Sequence, residues 1–206
     1  MKIINAAMLA GLLLASSQAM AQTKVGTHQL GLDLGFANPL SNTDLGNGDS
    51  ERLGQTGPAF GINYLYQPHP NFSFGGDFNY KYQGTETFPQ PHGGASVTSS
   101  VWTMLAIGRF DFMPLSPLRP YAMAGAGFGG ARRSVTYANP FFNSERTSMG
   151  PAFALGGGAD YDINSDWLVG GELRYTVVGT DNNDIGASIV STFDFLAKVG
   201  YKFGSR

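Results

Sequence analysis

The chain has 206 residues, carries a formal net charge of −2 and contains no cysteine. The absence of cysteine excludes disulfides and thiolate metal sites, and the near-neutral charge gives no sign of a nucleic-acid-binding or polybasic membrane-binding protein. Only 14% of the residues are charged while 29 are glycine, a composition that departs from that of an ordinary soluble domain.

The first 21 residues have the pattern of a secretory signal peptide. Lys2 supplies a positive charge, residues 6–15 form a short apolar run, and Ala19-Met20-Ala21 is a small-residue cleavage site. The apolar run is shorter than the roughly 20 residues of a membrane-spanning helix, and a buried N-terminal helix would explain neither the charged start nor the A-x-A end. We therefore predict cleavage between Ala21 and Gln22, with residues 22–206 forming one domain.

Eight segments after the signal alternate polar and apolar residues with a period of two, and each has about the length of a tilted membrane-spanning strand. The predicted strands are 28–36, 57–66, 72–82, 100–112, 120–128, 151–161, 167–177 and 192–203. The connections at 67–71, 113–119 and 162–166 are short and rich in turn formers, whereas those at 37–56, 83–99, 129–150 and 178–191 are long and polar. This rhythm predicts a closed, all-β, eight-stranded antiparallel transmembrane barrel with short periplasmic turns and long extracellular loops.

The third segment, FSFGGDFNYKY (72–82), shows which face of such a barrel meets lipid. Phe72, Phe74 and Phe78 share one face, and Asp77 and Lys81 share the other. A Lys or Arg facing lipid at the bilayer midplane costs about 2–4 kcal/mol, so we predict that the aromatic face points outward and the charged face points into the lumen.

The same alternation assigns a set of charged residues to the lumen. They are Asp33, Asp77, Lys81, Arg109, Asp111, Asp160, Glu172, Arg174, Asp194, Lys198 and Lys202. An eight-stranded barrel is just wide enough for its own side chains, so either a plug of ion pairs or an ion path is expected, and we favour the plug. By height, Asp33, Asp77, Glu172 and Lys198 are predicted to meet near mid-barrel. A lower cluster is predicted for Lys202, Asp160 and Asp111.

Outward aromatic residues sort into two belts, as expected where rings meet lipid headgroups. Trp102, Tyr80, Tyr82 and Tyr175 are predicted near the loop ends of their strands. Trp167, Tyr64, Tyr66, Tyr161, Tyr201 and Phe203 are predicted near the turn ends. The fifth segment, YAMAGAGFG, consists of residues too small to assign a face.

Eight strands, four long loops, the glycine-rich PYAMAGAGFGG (120–130) and the terminal KVGYKF (198–203) resemble the small outer-membrane β-barrel superfamily. That group includes OmpA-like transmembrane domains, OmpX/Ail-type proteins and opacity-type proteins. The resemblance implies a bacterial outer-membrane location with lipid and lipopolysaccharide as surroundings. Some eight-stranded barrels modify lipid A, so the prediction of a structural and surface-interaction role without enzymatic activity depends on the chain's own residues. The family's barrels typically end on an aromatic residue, whereas Gly204-Ser205-Arg206 follow Phe203 here.

Three motifs that carry chemistry elsewhere are weak here. Gly125, Gly127 and Gly130 match G-x-G-x-x-G but lie in a strand without a following helix, so close packing explains them better than a dinucleotide. The acidic stretches TDNNDIG (180–186) and 44–49 depart from a calcium-loop spacing. His28, His69 and His92 do not form the H-x-S pattern that lipid A deacylases resembling this fold carry, although His92 with a loop serine stays open.

The loops offer the remaining functional features. Arg132, Arg133 and Arg146 make the third loop basic, which suits lipopolysaccharide or a host polyanion. Aromatic residues at loop tips mark a contact surface; they are Phe88, Tyr137, Phe141 and Phe142. We predict an adhesion-like, monomeric protein with no cofactor, no metal and no nucleic-acid partner, and an extracellular ligand at the loops. A narrow channel is the alternative, and a lipid A-modifying enzyme comes third.

Overall fold

The computed structural model describes residues 25–44, 50–52, 55–88, 95–137, 141, 143–181 and 189–204. The chain in these ranges forms ten strands: β1 (Thr27–Pro39), β2 (Asn42–Asp44), β3 (Ser50–Arg52), β4 (Gly57–His69), β5 (Phe72–Phe88), β6 (Ala95–Asp111), β7 (Leu118–Tyr137), β8 (Ser144–Asp162), β9 (Trp167–Gly179) and β10 (Ile189–Phe203). None of the described residues belongs to a helix long and apolar enough to cross a membrane. The predicted signal peptide and its cleavage site lie outside the described residues and stay a prediction.

Eight of the strands close into one antiparallel barrel in the order β1-β10-β9-β8-β7-β6-β5-β4, while β2 and β3 form a separate two-stranded sheet. The first and last barrel strands pair along their whole length, from His28 opposite Phe203 to Pro39 opposite Thr192. On its other side β1 pairs with β4, so every strand of the barrel has a neighbour on both sides. Closure satisfies the backbone N–H and C=O groups that lipid cannot, and the predicted fold class is confirmed.

The three short connections lie at one end of the barrel, here called the turn end, and the four long ones lie at the opposite loop end. The turns are held by side-chain caps: Asn164 Oδ1 accepts backbone hydrogen bonds of 2.8 Å from both Asp166 and Trp167. At the β4–β5 turn, Asn71 Nδ2 donates to the carbonyl oxygen of Asp111 across 2.9 Å. His69, predicted within a turn, is the last residue of β4.

All four predicted loops are too long, by three residues at the start of the first, by two or three at the ends of the fourth and by five or more at both ends of the other two. Residues 83–88 continue β5 and residues 95–99 begin β6; residues 129–137 continue β7 and residues 144–150 begin β8. The apolar band is the part of the barrel whose outward side chains are apolar and meet lipid. These segments lie beyond it, so neither of their faces meets lipid. Polar residues on both faces of a strand therefore read as loop in the sequence.

The faces of the strands are assigned as predicted, with apolar side chains outward and charged ones inward. On β1, Leu32 is 57% exposed while the neighbouring Asp33 is 1% exposed. On β5, Phe72 and Phe74 are exposed while Asp77 and Lys81 are buried. The exposed apolar face is the lipid-facing surface, and the charged side chains of the strands within the apolar band lie in the interior of the barrel.

The strand β7, which alternation alone left unassigned, is oriented by its neighbours. Tyr121 and Met123 are buried in the lumen. The residue between them and every second residue after it point outward. A Cβ on Gly125 would lie 2.8 Å from Cγ2 of Ile107, so this glycine belongs to a close-packed strand and the predicted packing role is confirmed.

Candidate functional site in the lumen and at the loop end

The lumen is filled by charged side chains that bind one another. All eleven residues predicted to face inward are buried, with exposed fractions of 5% or less. Some of the ion pairs cross the lumen, as between Lys81 and Asp194 or Arg174 and Asp77, and others join residues of one strand or of neighbouring strands. Together they fill the interior as a plug, in groups that follow one another from the loop end to the turn end.

The group nearest the loop end is centred on Lys81. Its ammonium lies 2.5 Å from Oδ2 of Asp194 and donates hydrogen bonds of 2.8 Å to the hydroxyls of Thr176 and Thr192. These four groups come from β5, β9 and β10. All three donors of the ammonium are therefore satisfied inside the barrel.

A layer of small apolar side chains covers this group on the side of the loop end. It consists of Val101, Ala131, Ala152, Val178 and Val190, all buried in one cluster. Thr176 of β9 and Thr192 of β10 bind Lys81. Val178 and Val190 are the next inward residues of the same two strands toward the loop end. The buried polar residues Gln83 and Ser99 also lie toward the loop end, so this part of the lumen is apolar only in part.

The middle group is centred on Arg174, which reaches across the lumen from β9 to β5. Its guanidinium donates to Asp77 at 2.8 and 3.2 Å and to Glu172 at 2.6 Å. Glu172 also lies 3.2 Å from the ammonium of Lys198. Of the four residues predicted to meet at mid-barrel, Glu172 and Lys198 pair directly, and Asp77 joins them through Arg174.

Asp33, the fourth residue of that prediction, forms no ion pair with this group. Its Oδ2 accepts a 2.8 Å hydrogen bond from Nδ2 of Asn63. Lys198 lies directly opposite Asp33 in the β1–β10 ladder, but its ammonium turns to Glu172 and to the hydroxyl of Tyr121.

Tyr121 connects the middle group to the next group toward the turn end. Its hydroxyl donates to Oε2 of Glu172 across 2.8 Å. Its ring lies between two cations, with Arg109 Cζ 3.8 Å and Lys198 Nζ 4.9 Å from the ring centroid. Stacking on an aromatic face stabilises a cation that has left water.

The predicted lower cluster divides into two groups. Arg109 binds Asp111 and Asp160, each at 2.5 Å. Lys202 does not join them; its ammonium lies 2.9 Å from Asp162, which also binds Arg119 at 2.9 Å. The prediction of one cluster of Lys202, Asp160 and Asp111 was wrong because Asp162 is nearer to Lys202.

The lumen residues that sequence reasoning missed include Arg119, Asp162 and Tyr121. Arg119 and Asp162 were placed in turns, but the strands β7 and β8 extend to include them. The available signal was a base, Arg119, at the start of β7 and an acid, Asp162, at the end of the neighbouring β8. Arg119 lies opposite Asp160, two residues from Asp162. Tyr121 was missed because its segment had no contrast between faces.

The predicted interface aromatics all lie on the outward strand positions. At the turn end, the ring centroids of Trp167 and Tyr201 are 5.1 Å apart, and that of His28 is 5.0 Å from Tyr66 and 5.4 Å from Phe203. Tyr64 and Tyr161 share the turn-end half of the strands, and Tyr82 and Tyr175 lie toward the loop end. Tyr80 and Trp102 are directly opposite each other and lie near the middle of β5 and β6, because both strands continue beyond the apolar band.

Beyond the apolar band, β5, β6, β7 and β8 continue as a four-stranded sheet extension. In this extension Arg133 of β7 lies directly opposite Arg146 of β8. Both follow the inward alternation of Ala131 and Ser148, so they lie on the side of the barrel axis. On the outer side, Arg132 and Glu145 form a 2.8 Å ion pair, and this hydrogen bond raises the pKa of the Arg132 guanidinium above its ordinary value.

The aromatic residues predicted at the loop tips are only partly described. Phe141 is 94% exposed, Phe88 and Tyr137 are the last residues of β5 and β7, and Phe142 lies outside the described residues.

Histidines and acidic loops show no catalytic or metal-binding arrangement in the part of the chain that the structure describes. His28 Nδ1 and the hydroxyl of Tyr64 share a 2.6 Å hydrogen bond, and His69 Nδ1 accepts from the backbone of Asn71. No three His, Asp or Glu side chains in the described ranges are grouped for a metal ion. His92 and most of the acidic stretches lie outside those ranges.

Comparisons with known proteins agree with this geometry. A family model, the outer membrane protein beta-barrel domain, matches residues 7–203. No curated protein matches the chain significantly. Among solved structures, Neisserial surface protein A is similar at 20% identity with a TM-score of 0.56, covering 86% of this chain and 99% of its own.

Two structures of Ail, the attachment invasion locus protein of Yersinia pestis, are also similar. One has 16% identity and a TM-score of 0.51, with 87% of this chain and 100% of Ail covered. The other, in complex with the heparin analogue sucrose octasulfate, has 13% identity and a TM-score of 0.51, with 85% and 99% covered. At these identities the likeness shows the fold. The family match over most of the sequence shows more: this chain belongs to the outer membrane protein beta-barrel family and is a protein of the bacterial outer membrane.

Proposed function

We propose that this protein is a structural barrel without a permanent pore, and that its sheet extension binds anionic polysaccharide at the cell surface. The observation that carries the proposal is the pair Arg133 and Arg146, directly opposite each other above the mouth of the barrel. Like charges at directly opposite positions destabilise a sheet. Two guanidinium groups at one point of the sheet concentrate positive charge there, which suits an anionic ligand.

The chemistry of the pair suits sulfate or phosphate groups. A guanidinium binds such groups through two parallel hydrogen bonds and stays charged at every physiological pH. Arg132 on the outer side forms an ion pair with Glu145, and Arg133 and Arg146 place two further guanidinium groups directly opposite each other on the inner side. Ail, which shares the fold, is known in complex with a heparin analogue, which makes heparin a suitable probe for this chain.

Heparin binding to the folded protein in detergent tests the proposal. We expect binding that weakens as salt rises, and that falls at least tenfold in the double variant Arg133→Gln/Arg146→Gln. Arg132→Gln removes one charge from the outer face and is the control that should keep most of the affinity. The same measurement is repeated with purified lipopolysaccharide in place of heparin. It shows whether the ligand is a component of the outer membrane or a polyanion on another surface. An equal loss in the double variant and the control, or no binding by the wild type, would contradict the proposal.

A narrow channel is the second candidate, and the lumen argues against it. The apolar layer of Val101, Val178 and Val190 lies above a lumen filled by ion pairs, with Leu65 and Leu196 also buried inside. Recordings in planar bilayers test this: we expect no single-channel steps from the wild type, and reproducible steps would refute the absence of a pore.

We also propose that the protein has no lipid A-modifying activity and acts as a monomer. The two described histidines bind Tyr64 and the backbone of Asn71, and neither is paired with a serine. Mass spectrometry of lipid A from cells with and without the protein should give the same profile. The closed strand ladder leaves no unpaired edge in the barrel that a partner would have to cover, and a single-barrel mass in light scattering is expected.

A further inference from the structure

One carboxylate in the lumen has no cationic partner. The lumen holds seven buried carboxylates (Asp33, Asp77, Asp111, Asp160, Asp162, Glu172 and Asp194) and six buried cations (Lys81, Arg109, Arg119, Arg174, Lys198 and Lys202). Six of the carboxylates lie within ion-pair distance of an Arg or a Lys. Of the seven buried carboxylates in the described residues, only Asp33 makes no ion pair, and its one side-chain bond is the 2.8 Å hydrogen bond from Asn63.

Three oxygens around Asp33 also lack a donor. Oδ1 of Asp33, Oδ1 of Asn63 and Oδ1 of Asn79 are buried, and no N–H or O–H group of the described residues donates to them. Their orientation is set by the amide nitrogens, since Asn63 donates to Asp33 and Asn79 donates to Asp77 at 2.6 Å. Turning either amide over would break a hydrogen bond to a carboxylate. A buried oxygen without a partner has lost its hydrogen bonds to water and gained none in return, so three together require an explanation.

The strand register places Asp33, Asn63 and Asn79 on neighbouring strands in one patch of the lumen wall. Asp33 of β1 lies opposite Gly61 of β4, which lies opposite Asn79 of β5. A Cβ on Gly61 would lie 2.7 Å from Oδ1 of Asn79, so this oxygen lies over Gly61, the residue opposite Asp33. In the same way, Oδ1 of Asn63 would lie 2.5 Å from a Cβ on Gly31, two residues before Asp33. The two glycines leave the room that these oxygens occupy.

We infer that Asp33, Asn63 and Asn79 form a binding site for one small monovalent cation such as Na⁺. Oxygen ligands from one carboxylate and two amides suit a hard cation. A single positive charge would balance the seventh carboxylate and supply the partner that all three oxygens lack. A divalent ion such as Ca²⁺ is less suited, because it takes six to eight oxygen ligands and this patch offers one carboxylate. The cation would stabilise the plug by compensating a buried charge.

Refolding in different salts tests the site. The protein is folded into detergent in NaCl or in choline chloride at equal ionic strength, so that the lumen closes in the presence of each cation, and thermal unfolding is followed on gels. We expect the unfolding midpoint to be several degrees higher in NaCl, as for a ligand that binds only the folded state. The difference should disappear in Asp33→Asn. Asp166→Asn removes the same charge from an exposed turn and should keep it.

A second variant and a direct measurement cover the case in which Asp33→Asn does not fold. Asn79→Ala keeps the carboxylate and its bond to Asn63 but removes one ligand oxygen, and it should reduce the Na⁺ effect. Crystals grown with Tl⁺ should show an anomalous scattering peak in contact with Asp33, Asn63 and Asn79. No peak at this position, together with equal midpoints in NaCl and choline chloride, would overturn the inference and leave a proton or a water molecule as the partner of Asp33.

Discussion

The hydroxyl of Tyr121 donates a 2.8 Å hydrogen bond to Glu172 and so joins β7 to β9 through the lumen. The same hydroxyl accepts a 3.0 Å hydrogen bond from the ammonium of Lys198. One side chain thus orders an acid and a base from two other strands, and its ring stacks on Arg109. The packing of the lumen depends on a residue from the strand with the smallest side chains.

Tyr121→Phe should destabilise the barrel while keeping its shape. The ring stays between Arg109 and Lys198, but Glu172 loses a donor and Lys198 loses an acceptor. Leaving buried polar groups unsatisfied costs about 1–3 kcal/mol. The free energy of unfolding in urea, measured in lipid vesicles, checks this, with Tyr201→Phe on the outward face as the control. Equal unfolding free energies for the two variants would show that the hydroxyl is not part of the plug.

Lys81 and Asp194 should show strong coupling in a double-mutant cycle. Lys81→Met leaves the carboxylate of Asp194 buried without its 2.5 Å partner, and breaking a buried ion pair costs about 3–5 kcal/mol. Adding Asp194→Leu removes the unpaired charge and should restore much of the stability. Urea unfolding of the wild type, both single variants and the double variant measures the coupling. Additive costs for the two substitutions would contradict it.

Gly75 and Gly76 are adjacent and should respond differently to alanine. A Cβ on Gly75 would overlap the carbonyl oxygen of Tyr64 in β4, whereas a Cβ on Gly76 meets nothing closer than the carbonyl oxygen of Leu105 at 4.0 Å. Gly75→Ala should therefore separate β5 from β4 and lower the folding yield. Gly76→Ala should fold normally, which the heat-shifted band of a folded barrel on gels will report. A normal yield of Gly75→Ala would show that the two strands approach less closely.

Leu32→Arg tests the assignment of the outward face. Leu32 is 57% exposed on the lipid face in the middle of β1, where an Arg should cost about 2–4 kcal/mol. Thr136→Arg places the same side chain on the exposed sheet extension, opposite Ser96, where the cost should be about 0–1 kcal/mol. Unfolding free energies in vesicles compare the two positions, and similar costs would mean that Leu32 does not face hydrocarbon.

The amino-acid sequence by itself determined the closed eight-stranded barrel and the direction in which most side chains face. Period-two alternation is read directly from the letters, and hydrocarbon on one side forces charged residues such as Asp77 and Lys81 to the other. Short and long connections in alternation then order the strands. These inferences needed no distance between residues that are far apart in the chain.

Only the tertiary structure decided which of the inward residues meet. Alternation gives the face of a residue but not its height, which depends on the stagger of the strands around the barrel. Arg174 therefore pairs with Asp77 of β5 through the lumen, and Lys202 pairs with Asp162 instead of Asp160. Tyr121 was assigned only by its neighbours, since a strand of alanines and glycines has no contrast between its faces. The sheet extension could not be predicted from the sequence either, because a strand with water on both sides does not need to alternate polar and apolar residues.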